Sequence, residues 1–143
     1  MGITYENNIS AEDCAKLRAS AGWREVHPDQ LRAGLRSSAF IVAAQDGGST
    51  VGMARLIYDG GYVAFIVDVL VLPQYQGRGI GKAMMERVLR NLRDRLKDGY
   101  TIQVDLMSAK GKEGFYEKFG FVKRPDNVYG CGMTQRLEKK GRA

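Results

Sequence analysis

Apolar and polar positions along this chain repeat with two different periods, and each change of period marks an element. Across residues 79–96 the apolar side chains Ile80, Met84, Val88, Leu92 and Leu96 recur four apart, widened by Met85 and Leu89. That is the stripe of an amphipathic helix. Arg87, Arg90, Arg93, Asp94 and Lys97 lie off the stripe, and Asp98-Gly99 places a glycine where helices stop. Residues 62–72 are nearly continuously apolar, interrupted by the ionisable Asp68. This predicts a strand covered on both faces. Residues 39–45 and 50–58 flank Asp46-Gly47-Gly48-Ser49 and predict an antiparallel hairpin, with Asp59-Gly60-Gly61 as the next turn.

The two ends are read the same way. A short strand is expected over residues 3–7. Ser10-Ala11-Glu12-Asp13 has the form of a helix start, which predicts a helix over 11–19 that Ala21-Gly22-Trp23 breaks. Pro28 suits the first turn of a second helix reaching residue 36. Later, 100–107 reads as a strand and 111–119 as a short helix ended by Gly120. Phe121-Val122 and 128–137 read as the last strands, joined around Pro125-Asp126-Asn127. Helices, an antiparallel meander, then strand–helix–strand–helix–strand make an α/β (mixed α+β) fold. Its central, largely antiparallel twisted sheet is expected to have six to seven strands with helices on both faces.

Size and composition narrow this picture without changing it. The 143 residues suit one domain over 1–143, with 138–143 as a flexible tail. No apolar run approaches the ~20 residues that span a bilayer, and residues 1–10 show no basic segment followed by an apolar one. The expectation is a cytoplasmic protein without a membrane partner. Cys14 and Cys131 are far apart, and His27 is the sole histidine. That spacing fits no metal site and suggests two free thiols in a reducing compartment. The net charge of +6 is spread along the chain, with part of it in the Glu138–Arg142 tail. No nucleic acid is expected from it, although a basic surface attracts small anions.

The chemistry concentrates in Leu72-Pro73-Gln74-Tyr75-Gln76-Gly77-Arg78-Gly79-Ile80-Gly81-Lys82-Ala83, where three alternate glycines link a buried strand to a helix. Glycine enters positive φ freely and has no Cβ, so successive amides can line one concavity at the positive end of the helix dipole. Phosphate or pyrophosphate fits such a place, with Arg78 and Lys82 adding longer-range attraction. A P-loop is excluded, because Gly81-Lys82 is followed by Ala83 and Gly77 lies too near Gly81. The Gly-x-Gly-x-Gly spacing, preceded by hairpins, also differs from a dinucleotide fingerprint.

Gln76-Gly77-Arg78-Gly79-Ile80-Gly81 resembles the Gln/Arg-x-x-Gly-x-Gly/Ala motif of the GNAT superfamily of N-acetyltransferases. Val69-Leu70-Val71-Leu72-Pro73 is similar to that family's central strand. Gly114-Phe115-Tyr116-Glu117-Lys118-Phe119-Gly120-Phe121 is similar to its Phe/Leu-Tyr-x-x-x-Gly-Phe segment. The resemblance implies a GNAT-like sheet splayed near its middle, and direct transfer of acetyl from acetyl-CoA to a primary amine of a small molecule or peptide, with no acyl-enzyme. It implies that Gln76 to Lys82 hold the diphosphate, and that the backbone of Val69, Leu70 and Val71 holds the pantetheine arm. Tyr116 then faces the sulfur as general acid. The family often has Asn seven residues before this tyrosine, where this chain has Ala109. A homodimer through the late strands is a further expectation of the resemblance.

Two readings compete at Asp68. A carboxylate in an apolar strand is costly unless paired or solvated, so it is either the general base of the transfer or a structural partner of Arg55. Trp23 is read either as a substrate contact in an acceptor pocket with the second helix or as a core residue. The alternative for the whole chain is a non-catalytic acyl-CoA-binding sensor module, which keeps the phosphate cradle without needing Tyr116 or Asp68.

Overall fold

The computed structural model describes residues 2–141. They fall into two compact units, divided between Leu106 and Met107. The first contains β1 (Thr4–Glu6), α1 (Ala11–Ser20), α2 (Pro28–Arg36), β2 (Phe40–Asp46), β3 (Ser49–Tyr58), β4 (Val63–Val71), a 3-10 turn (Pro73–Tyr75), α3 (Ile80–Asp94) and β5 (Gln103–Leu106). The second contains α4 (Glu113–Glu117).

The helix starts follow their local chemistry. Ser10 Oγ accepts from the Asp13 amide at 3.0 Å to cap α1, and Pro28 opens α2 behind His27, whose Nδ1 accepts from the Asp29 amide. The sheet runs in sequence order, β1-β2-β3-β4-β5, with antiparallel pairs until β4 and β5, which are parallel.

Strand alternation sends helices to both faces. Met53 of β3 joins Cys14, Leu17, Leu31, Leu35, Ile41 and Leu70 in a core under α1 and α2. Gly52, one residue earlier, faces α3: a Cβ there would meet the Leu70 carbonyl at 3.0 Å and Met84 Cε at 3.3 Å. The glycine thus lets α3, the helix that follows the glycine-rich loop, lie close on the sheet. Met84, Met85 and Val88 of its predicted stripe are fully buried.

The sheet has five strands, not six to seven. Phe121-Val122 and 128–137 are not strands, and among the described residues no strand follows β5. Tyr129, Cys131 and Met133, which alternate within 128–137, are all exposed. Alternation reports which side chains suit a pleated surface; the backbone also needs a neighbouring strand, and Gly130 and Gly132 weaken the intrinsic preference. Residues 138–141 carry no helix or strand, and the remainder of the predicted tail lies outside the described residues.

The candidate active site

β4 carries the site's irregularity. Met53 pairs with Leu70 and Arg55 with Val67, so β4 has one residue more than β3 between these pairs. This β-bulge contains Asp68, whose φ of +52° is the sole positive value at a non-glycine among the described residues. β5 pairs with β4 only from Val63 to Ile66, which leaves Val67 to Val71 without a strand on that side. The Leu72 amide donates to Val51 on β3. By alternation, Val69 and Val71 present their N–H groups to the open side. The β4–β5 ladder therefore stops just short of the bulge, and the sheet is open there.

Asp68 is held by two cations. Its Oδ1 accepts from Arg18 Nη1 at 2.7 Å and its Oδ2 from Arg55 Nε at 2.9 Å. The carboxylate is 7% exposed and each arginine side chain 16%. The partnership with Arg55 is the structural reading made from sequence; Arg18, fifty positions away, had no sequence signal, since it sits among charged and small residues of a surface helix. Arg55 also donates to the Gly34 carbonyl and to Ser38 Oγ at the end of α2. Arg18 donates to the Arg24 carbonyl and lies 5.2 Å from the centre of the Trp23 ring. One carboxylate thus ties the bulge to α1, to α2 and to the segment between them. Cys14 lies in the same core. Burial first, and then the Asp68 charge, push its thiol up to about 11.

Beyond β4 the chain turns through Pro73–Tyr75 and enters the glycine-rich loop. Gly77 and Gly79 have φ of +78° and +80°, and a Cβ on either would meet no protein atom within 4 Å. Gly79 caps α3 without a side-chain hydrogen bond, and the first turn closes with the Ala83 amide on the Gly79 carbonyl. Among the described residues, no acceptor engages the amides of residues 77–82. Six consecutive amides without a protein acceptor at a helix N-terminus suit an anion. Gln76 turns its side chain the other way: its Nε2 donates to the Val71 carbonyl at 3.0 Å, closing the loop onto the strand.

Trp23 has both predicted roles within reach. It packs against the core under α1 and α2, and it lines a cavity of about 500 Å³ between these helices. Ala15, Arg18, Val26 and Leu31 share the lining, with Glu12 and Glu25 as its carboxylates.

In the second unit, Tyr116 of α4 is buried and stands edge-on to Phe115 and Phe121 at ring separations of 5.0 and 6.3 Å. Burial raises its phenol above the ordinary value of 10.0. It is thus fully protonated at neutral pH.

A mixed sheet whose β4 runs on past its neighbour β5 into a glycine-rich helix start is an architecture that known acetyltransferases share. The family model of the acetyltransferase (GNAT) domain matches residues 36–123. The chain is 33% identical over 132 residues to the uncharacterized N-acetyltransferase ycf52 of Porphyra purpurea, covering 90% of this chain and 74% of that one. It is 33% identical over 125 residues to the chloroplastic serotonin N-acetyltransferase 2 of Oryza sativa subsp. japonica, covering 85% of this chain and 60% of the relative. A crystal structure of a probable acetyltransferase of unknown function from meticillin-resistant Staphylococcus aureus superposes with a TM-score of 0.85 at 29% identity, over 95% of this chain and 100% of that one. The chain belongs to the GNAT family and is an acyltransferase. No helix among the described residues is long and apolar enough to cross a membrane.

Proposed function

We propose that the chain transfers acetyl from acetyl-CoA to a primary amine of a small molecule or peptide. The observation that carries this reading is the run of acceptor-free amides from Gly77 to Lys82 beside the open edge of β4. The amides, including those of Arg78, Ile80 and Gly81, would take the diphosphate. The outward backbone of Val69 and Val71, with Leu70 between them, would take the pantetheine arm by strand-like pairing.

In the transfer a neutral amine attacks the thioester carbon, the C–N bond forms, the C–S bond breaks, and the sulfur takes a proton. Following the family resemblance, Tyr116 supplies that proton, a role that suits a phenol kept protonated by burial. Asp68 has both oxygens engaged by guanidinium groups. Its part in this reading is to hold the bulge, and the proton lost by the amine passes to water. The cavity beside Trp23 is the acceptor's seat. The rice relative is named for serotonin, an arylalkylamine, and an indole-lined cavity favours an aryl or apolar body behind the amine.

The test is release of free thiol from acetyl-CoA across a panel of amines that includes tryptamine, serotonin and short lysine peptides. Turnover with any of them supports the transfer. CoA binding without thiol release on the whole panel favours the non-catalytic acyl-CoA sensor, and absence of CoA binding refutes both.

A further inference from the structure

The glycine-rich loop faces a physical difficulty. Six successive amides without a protein acceptor carry partial positive charge of one sign, and Gly77 and Gly79 give the backbone unusual freedom. In the absence of an anion, such a loop gains little from staying in its binding shape. The structure shows what braces it. Tyr75, the last residue of the 3-10 turn, donates its hydroxyl to Asp46 Oδ2. Asp46 ends β2, at the turn of the β2–β3 hairpin, twenty-nine positions away. The Tyr75 amide also donates to Leu72 at 2.9 Å, so the turn is fixed at its backbone and at its side-chain tip. Arg78, inside the loop, places its guanidinium 4.8 Å from the centre of the Tyr75 ring.

We propose that Tyr75 and Asp46 form a latch that pre-shapes the diphosphate cradle: the hydroxyl–carboxylate bond fixes the turn against the hairpin, and the ring holds the Arg78 guanidinium against its face. Both are positioning residues, acting through the amides of 77–82. The inference rests on the reading of that loop as the diphosphate site. A hydrogen bond to a charged acceptor at the end of a paired strand lowers the ordering cost of binding, which appears as affinity.

The latch makes an unusual prediction of sign. Asp46 is a negative charge close to a site for an anion. Simple electrostatics says that Asp46→Ala should tighten CoA binding; the latch says that it should weaken it. Tyr75→Phe removes the hydroxyl and keeps the ring under Arg78. Affinity for CoA, measured by calorimetry on the full chain, should fall about three- to tenfold in Tyr75→Phe, as for the net loss of one part-buried hydrogen bond. Asp46→Ala should fall similarly, and the double variant no further than either single one. With acetyl-CoA the KM should rise while kcat at saturation holds. With S-acetylpantetheine, which lacks the diphosphate, kcat/KM should match the parent.

Unchanged or tighter CoA binding in Tyr75→Phe or Asp46→Ala would overturn the latch while leaving the diphosphate site standing. An equal loss with S-acetylpantetheine would also overturn it, since the bond would then support the chain in general. Failure of the parent itself to bind CoA would sink the loop reading and the latch with it.

Discussion

Asp68→Asn tests whether one carboxylate holds the bulge. The exchange removes a charge and almost no volume, and Asn tolerates a left-handed φ as well as Asp does, so the backbone value of +52° is not the variable. What changes is the environment of Arg18 and Arg55. Each loses its counter-charge, and the amide nitrogen that replaces one oxygen points a donor at a donor. Breaking a fully buried ion pair costs about 3–5 kcal/mol, whereas exposed pairs are worth about 0–1 kcal/mol. With the carboxylate 7% and the arginines 16% exposed, the network lies nearer the buried case. Discounting for solvent at the arginines leaves about 2–4 kcal/mol. For a chain of this size that is a Tm lower by about 6–15 °C.

Urea titrations of parent and variant, read by tryptophan fluorescence and far-UV dichroism, supply the free-energy difference, and thermal melts supply the second number. The salt dependence should be slight, because a buried network is poorly screened. A cycle with Arg18→Met isolates the pair: Asp68→Asn should cost less when Arg18 is already gone, because one of the stranded cations is absent. A loss below about 1 kcal/mol, with single variants that simply add, would place the network in the surface-pair class. The claim that it secures the bulge would then be refuted.

Three further outcomes follow from the same geometry. Ellman's reagent at pH 8 should titrate one thiol per native chain, the exposed Cys131, and two after denaturation, because Cys14 is fully buried with its thiol pushed up to about 11. The sign for stability is fixed: above pH 9 the unfolded Cys14 ionises while the folded one does not, so its contribution is complete below pH 9 and declines as pH rises towards 11. Gly79→Val should weaken CoA binding tenfold or more in calorimetry while leaving a folded chain, since its Cβ meets no protein atom but stands in the space above the amides and strains a φ of +80°. Tyr116→Phe should lower kcat about a hundredfold or more with CoA affinity unchanged; in the parent, Tyr116 should cause no loss of kcat below pH 10, because burial raises its phenol.

The parts of this fold that were legible in sequence are those decided locally. The apolar stripe from Ile80 to Leu92 predicts α3 because i, i+4 spacing makes one helix face. Gly77 and Gly79 mark positive φ because other residues are penalised there. The illegible parts depend on partners brought close by folding. Asp68 could be seen as an unpaired charge in an apolar strand, and Arg55 as a neighbour, but nothing marked Arg18, and the bulge has no signature when its left-handed residue is not glycine. Tyr75 looked like one more residue of a motif until the hairpin turn delivered Asp46 to its hydroxyl. The late strands failed for the converse reason: side chains at Tyr129, Cys131 and Met133 alternate, while among the described residues there is no ladder to use them. The distinction has a consequence for the site. The amides that would bind the anion are encoded by local glycines, whereas the bulge at Asp68 and the brace at Tyr75 are encoded by long-range polar pairs. Substitutions in the loop should therefore act on binding directly, and substitutions at Arg18, Asp46 or Arg55 should act on it through shape.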